Sequence, residues 1–111
     1  MISVDYRMPP DAPYPAARGR RDRGVRAMSF MQKPQNMAVF GTSTGGGMTL
    51  ALMPGQAEHL ALPAAMGLGT PWSDLTETGD SYSTNEWLDN VLVSYSGYLT
   101  PAAKLYAPVA T

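Results

Sequence analysis

The tightest constraint on this chain is the run Gly41-Thr42-Ser43-Thr44-Gly45-Gly46, which directly follows the apolar stretch Met37-Ala38-Val39-Phe40. The apolar stretch has the length and residue types of a short buried strand, and Met48-Thr49-Leu50-Ala51-Leu52-Met53 after the glycines is compatible with a helix. A strand that passes through Gly-x-Ser-x-Gly into a helix is a nucleophile elbow. The serine must stand on a turn so sharp that its hydroxyl clears the sheet, and that backbone tolerates little side-chain bulk two residues to either side. Gly41 and Gly45 are expected to relieve this crowding, with Gly46 beyond them. Ser43 is then the candidate nucleophile, and the Thr44 N–H, first in the helix, is the candidate donor to an oxyanion. The same letters also fit a plain Gly/Ser/Thr turn, or a phosphate-cradling loop without the Walker lysine. The flanking strand and helix favour the elbow.

Two further segments carry a family resemblance. Val4-Asp5-Tyr6-Arg7-Met8-Pro9-Pro10-Asp11-Ala12-Pro13-Tyr14-Pro15-Ala16-Ala17 resembles the Tyr-Arg-x-x-Pro-Glu-x-x-Phe-Pro-Ala signature of the bacterial hormone-sensitive-lipase family of esterases. Those enzymes, of the α/β-hydrolase fold, carry Gly-Asp-Ser-Ala-Gly-Gly or Gly-Thr-Ser-Ala-Gly-Gly at the elbow, and Thr42 here is similar to the second form. Leu68-Gly69-Thr70-Pro71-Trp72-Ser73-Asp74-Leu75-Thr76 resembles the family's Ser-Pro-Trp-x-Asp-Leu segment at a strand end. The resemblance covers nearly the whole chain and is weakest over residues 18–33. It implies a carboxylic-ester hydrolase, an esterase or lipase acting on short-chain esters through Ser43, with no cofactor. It also implies that the family's His-Gly-Gly-Gly oxyanion motif lies upstream of the Tyr-Arg segment and its catalytic Asp and His downstream of Thr111, so that the chain is expected to be a central slice of the fold.

A serine hydroxyl is scarcely ionised at neutral pH and needs a base. The chain has one histidine, His59, in Gln56-Ala57-Glu58-His59-Leu60 beyond Pro54-Gly55, so in-chain Ser/His catalysis must use it. The family reading carries that segment away from the serine, and a surface histidine without a catalytic role is the competing assignment. Asp74, Asp80 and Asp89 are candidate orienting carboxylates, and spacing selects none of them. A base donated by a second chain is the other source.

A length of 111 residues fits one domain, 1–111, with a modest core. There are no cysteines, hence neither a disulfide framework nor a thiolate metal site, and one His among dispersed carboxylates gives a metal site no support. No apolar run approaches the ~20 residues of a membrane span, and the N-terminus lacks a signal-peptide pattern, so a cytoplasmic location without membrane partners is expected. The net charge of −1 hides an asymmetry: Arg18, Arg20, Arg21, Arg23 and Arg26 crowd one segment against Asp22 alone. Such a cluster can mark a nucleic-acid site, but it is not interleaved with aromatics, and a solvated face, disordered at its start, is the expectation. Gly19 and Gly24 each cost a helix interior about 1 kcal/mol relative to Ala.

The remaining chain parses into short elements. Ile2 to Tyr6 is expected as a strand, Pro9 to Pro15 as an extended connection, and Val25 to Gln32 as a helix. Met37 to Phe40 and Ala64 to Leu68 are expected strands, with the elbow helix between them stopped by Pro54. Ser83 to Glu86 has the form of a capping box for a helix with Trp87, Leu88, Val91 and Leu92 on one face. Thr100-Pro101 is the expected N-cap and first position of a last helix ending near Tyr106. The expected fold is α/β, a partial α/β-hydrolase fold of about three parallel strands with flanking helices. Its exposed sheet edges imply a homo-oligomer, or else a rearrangement relative to the family fold. Trp72, Tyr82, Trp87, Tyr95, Tyr98 and the eight methionines suit either an apolar pocket or core packing. Two functions from different classes remain: an ester hydrolase, and a catalytically incomplete hydrolase-derived module that self-associates.

Overall fold

The computed structural model describes residues 1–53, 60–88 and 94–108. Among these residues the sheet has two parallel strands, β1 (Ala38–Thr42) and β2 (Ala65–Gly69), in register from Ala38 opposite Ala65 to Thr42 opposite Gly69. The parallel pairing requires a crossover, and α2 (Thr44–Leu50) leaves β1 at the elbow and packs against both strands. Alternation along β1 turns Val39 and Gly41 inward and leaves Ala38, Phe40 and Thr42 exposed. The Phe40 ring lies across β2 over Gly67, where a methyl group would come within 2.7 Å of it.

α1 (Ala16–Met31) covers the inner side. Its Val25 joins Met37 and the wholly buried Leu52 to form the core, with Met28, Val39, Leu60, Leu62 and Met66 packed around them. A 3₁₀ turn (Pro34–Asn36) delivers the chain into β1, and the Ala64 N–H, donating to Pro34 and Met37 carbonyls, aligns the start of β2 with it. Downstream come a single helical turn α3 (Ser81–Thr84), a π-helical turn (Tyr95–Leu99) and α4 (Thr100–Tyr106).

Several expectations are corrected. The sheet has two strands among the described residues, not three, because residues 2–6 form no strand. Val4 lies instead against α1 at Gly24, whose absent side chain leaves the space: a methyl there would stand 3.1 Å from a Val4 methyl. The expected disordered start is helical, and α1 begins at Ala16 rather than Val25, since burial of Ala17, Arg21 and Val25 on one face offsets the cost of Gly19 and Gly24. Residues 9–15 turn rather than extend. The Ala12 N–H donates to the Met8 carbonyl at 3.1 Å, Ala12 is buried, and the Pro9–Pro10 and Tyr14–Pro15 peptides are cis.

The expected capping box does not form. The helical turn starts earlier, at Ser81, and the Ser83 hydroxyl donates to the Asp80 carbonyl. The helix expected through Val91 and Leu92 lies outside the described residues. α4 begins one residue early, with Leu99 at its N-cap and Thr100 already helical, because the π-helical turn runs straight into it. Among the described residues no helix is long and apolar enough to cross a membrane, and no three His, Asp or Glu side chains gather as metal ligands.

Candidate active site

β1 ends at Thr42, and one residue later the chain is helical. The change of direction falls on Ser43, whose φ of 53° and ψ of −117° lie outside the ordinary regions for a residue with a Cβ. Backbone bonds hold it there from both sides. The Ser43 N–H donates to the Gly69 carbonyl at 2.9 Å, and the Ser43 carbonyl accepts from Gly47 at 3.0 Å and Trp72 at 3.1 Å. Ser43 is exposed, and its hydroxyl makes no capping bond to α2. The side chain therefore stands off the turn, as a nucleophile must.

Close approach at this turn falls on particular glycines. A methyl on Gly41 would lie 2.7 Å from the Thr49 hydroxyl and closer still to the Gly45 carbonyl, so the first turn of α2 sits directly on the strand end. The Thr49 hydroxyl completes that contact by donating to the Gly45 carbonyl at 2.8 Å. Gly46 is buried under Pro71, where a methyl would lie 2.9 Å from its Cα. Gly45 itself has open space within 4 Å of a Cβ position. The expectation that Gly45 relieves crowding by lacking a side chain is thus corrected: its carbonyl is what Gly41 must clear.

Thr44 is the first residue of α2, which puts its N–H ahead of the helical hydrogen bonds, and it lines a cavity of about 570 Å³. Tyr6, Arg7, Met48, Trp72 and Tyr98 share that lining, so the Tyr-Arg segment and the loop after β2 meet beside the elbow. The volume falls in the range of small-molecule sites. His59 and Asp89 lie outside the described residues. Asp74 is bound within its own loop: its Oδ1 accepts from the Thr76 N–H at 2.8 Å and the Thr76 hydroxyl at 2.5 Å, and its Oδ2 from the Thr78 hydroxyl. These bonds, the Thr76 and Thr78 hydroxyls first, hold its carboxyl below the usual value of 3.8. Nearby, burial pushes the Tyr82 phenol up, helped by Tyr95 and the Asp74 charge, while the indole of Trp72 pulls it the other way.

Two features have roles that the sequence motifs do not reveal. Arg21, expected on a solvated basic face, is buried at 6% exposure. Its guanidinium donates to the Met48 carbonyl at 2.9 Å, in the last turn of α2, and pairs with Asp22. A cation at a helix C-terminus satisfies a carbonyl that the helix leaves unpaired. No periodicity singles Arg21 out among five arginines. The Asp74 turn was more accessible, since Asp followed two residues later by Thr is an Asx-turn pattern.

The alpha/beta hydrolase fold family matches residues 1–111. An acetyl-hydrolase of Streptomyces hygroscopicus is 30% identical over 91 residues, which are 78% of this chain and 29% of that protein. The crystal structure of an esterase E25 superimposes with a TM-score of 0.87 at 40% identity, covering 96% of this chain and 33% of the esterase. An esterase from the bacterial hormone-sensitive lipase family superimposes with a TM-score of 0.80 at 29% identity, over 96% of this chain and 36% of its own. With its strand–elbow–helix at Ser43 and a match along its whole length, the chain belongs to the alpha/beta hydrolase fold family. It spans about a third of the length of these relatives, the last two of which are esterases.

Proposed function

We propose that this chain supplies the nucleophile of a carboxylic-ester hydrolase that acts on short-chain esters. The observation that carries the reading is Ser43 at positive φ, exposed, between a strand end and a helix start. In the proposed reaction the Ser43 Oγ attacks the ester carbonyl carbon and its proton passes to a base. The Thr44 N–H donates to the oxyanion that forms. Collapse expels the alcohol, which takes up a proton from the base, and leaves an acyl-serine. Water then adds to the acyl carbon, releases the acid and restores Ser43. The cavity lined by Thr44, Met48 and Trp72 is the proposed seat of the ester. His59 is the in-chain candidate for the base, and a second chain is the other source.

The test is hydrolysis of p-nitrophenyl acetate by the chain, by Ser43→Ala and by His59→Ala. Loss of turnover in Ser43→Ala supports the nucleophile, and its full retention refutes it. Unchanged turnover in His59→Ala excludes His59 as the base.

A second reading rests on a different observation. Neither outer edge of the two-stranded sheet is paired among the described residues, and Phe40 on β1 is 73% exposed. Unpaired edges beside exposed apolar side chains recruit partners. On this reading the chain self-associates through the sheet and keeps the elbow without turnover. Ester hydrolysis that depends on Ser43 argues against that version.

A further inference from the structure

Three residues other than glycine hold positive φ among the described residues: Ser43 at 53°, Thr70 at 40° and Glu77 at 59°. The first is the proposed nucleophile. The other two bracket the loop that leaves β2, and that loop crosses the elbow. For a β-branched residue such as Thr70 this conformation persists only where its surroundings over-determine it.

The loop presses on the elbow at consecutive residues. Pro71 covers Gly46, the Trp72 carbonyl covers Gly47, and the Trp72 N–H donates to the Ser43 carbonyl at 3.1 Å. At its far end the loop is closed by a single side chain. The Asp74 carboxylate gathers the Thr76 N–H, the Thr76 hydroxyl and the Thr78 hydroxyl. The same stretch is fastened to the rest of the molecule by the Tyr95 hydroxyl, which donates to the Leu75 carbonyl at 2.9 Å. The Tyr95 ring is itself set edge-on against Tyr82, with centroids 4.8 Å apart. Asp74 thus sits between two fixed points: the tyrosine pair on one side and the Ser43 carbonyl on the other.

We infer that Asp74 is a positioning residue for Ser43: by closing the turn Asp74–Thr78, directly after Trp72 and Ser73, it holds the Trp72 N–H on the Ser43 carbonyl and keeps the serine in its positive-φ conformation. The consequence for turnover rests on the hydrolase reading above, whereas the brace itself does not. A carboxylate is suited to the task because its two oxygens accept all three donors at once. An asparagine keeps one accepting oxygen and therefore part of the closure.

Amide hydrogen exchange on the whole chain, resolved residue by residue at neutral pH, tests the brace without relying on turnover. In Asp74→Ala the Trp72 and Ser43 amides are expected to exchange roughly tenfold faster, while amides within the β1–β2 ladder keep their rates. Asp74→Asn is expected to recover only part of the protection, and Tyr95→Phe to lose part of it through the Leu75 carbonyl. With p-nitrophenyl acetate, kcat is expected to fall in the same order with KM unchanged. Unchanged exchange at Trp72 and Ser43 overturns the inference, as does a rise that is equal throughout the sheet. Should Asp74→Ala not fold, Asp74→Asn and Tyr95→Phe decide the matter: selective loss at Trp72 and Ser43 supports the brace, and none refutes it. Full ester turnover in Ser43→Ala sinks the hydrolase reading instead and leaves the exchange result standing.

Discussion

Alanine at Gly41 and alanine at Gly45 should have opposite effects, although the two glycines are symmetric in the Gly-x-Ser-x-Gly pattern. A Cβ on Gly41 meets the Thr49 hydroxyl at 2.7 Å, well short of the 3.4 Å at which ordinary contact begins, and the Gly45 carbonyl is nearer still. The hydroxyl can swing aside at the expense of its bond to the Gly45 carbonyl, but the carbonyl is backbone and can move only with the first turn of α2. Overpacking of this kind costs about 1–3 kcal/mol, and a backbone obstacle puts Gly41→Ala at the top of that range. Gly45 lies inside α2 with nothing within 4 Å of its Cβ position. Alanine there restricts the unfolded chain and is expected to stabilise by about 0.4–1 kcal/mol. The two variants should therefore differ by roughly 4 kcal/mol, or about 2 M in urea midpoint at an m-value of about 2 kcal/mol per M. Urea unfolding followed by far-UV circular dichroism measures this directly. Coincident midpoints, or a Gly45→Ala midpoint below that of Gly41→Ala, would refute the packing argument.

Other perturbations probe other links. Arg21→Ala leaves the Met48 carbonyl and the partly exposed Asp22 without their partner, and should cost about 1–3 kcal/mol by the same urea assay. Phe40→Asp places a charge on the exposed face of β1 and should shift the chain toward monomer in light scattering; a wild-type chain that is already a monomer contradicts the edge argument. The Asp74 carboxyl is held below its ordinary 3.8, chiefly by the Thr76 and Thr78 hydroxyls. A carboxylate lowered in the folded state stabilises above its unfolded value and loses that contribution as pH falls through the folded one. Exchange at the Trp72 amide, corrected for its intrinsic pH dependence, should stay flat from about pH 8 to about pH 5 and rise only below about 3.8. Asp74→Asn should remove that acid limb.

The elbow was legible because its constraint is local: a strand, a turn and a helix within sixteen residues, 38–53, must agree with one another, and the glycines restrict what can stand between them. The parallel pairing followed from the apolar runs on either side of the helix. The start of α1 was not legible, since Gly19 and Gly24 argue against a helix by propensity and only tertiary burial of Ala17, Arg21 and Val25 overrides them. The strand expected at residues 2–6 fails to form for the same kind of reason, because Gly24 gives Val4 a place against α1. At the site, the apparent equivalence of Gly41 and Gly45 came from the motif, which records residue types and not which carbonyl faces which Cβ. Arg21 was hidden among four other arginines, as only the position of the α2 C-terminus distinguishes it.

The most direct test of a serine nucleophile is covalent. Diethyl p-nitrophenyl phosphate loses p-nitrophenolate to an activated serine and leaves a diethylphosphoryl ester, which peptide mass spectrometry can map along the chain. The expected result is one adduct, on the peptide containing Ser43, absent from Ser43→Ala. No adduct at Ser43, or labelling spread evenly over Ser29, Ser73, Ser83 and Ser96 as well, would contradict the assignment.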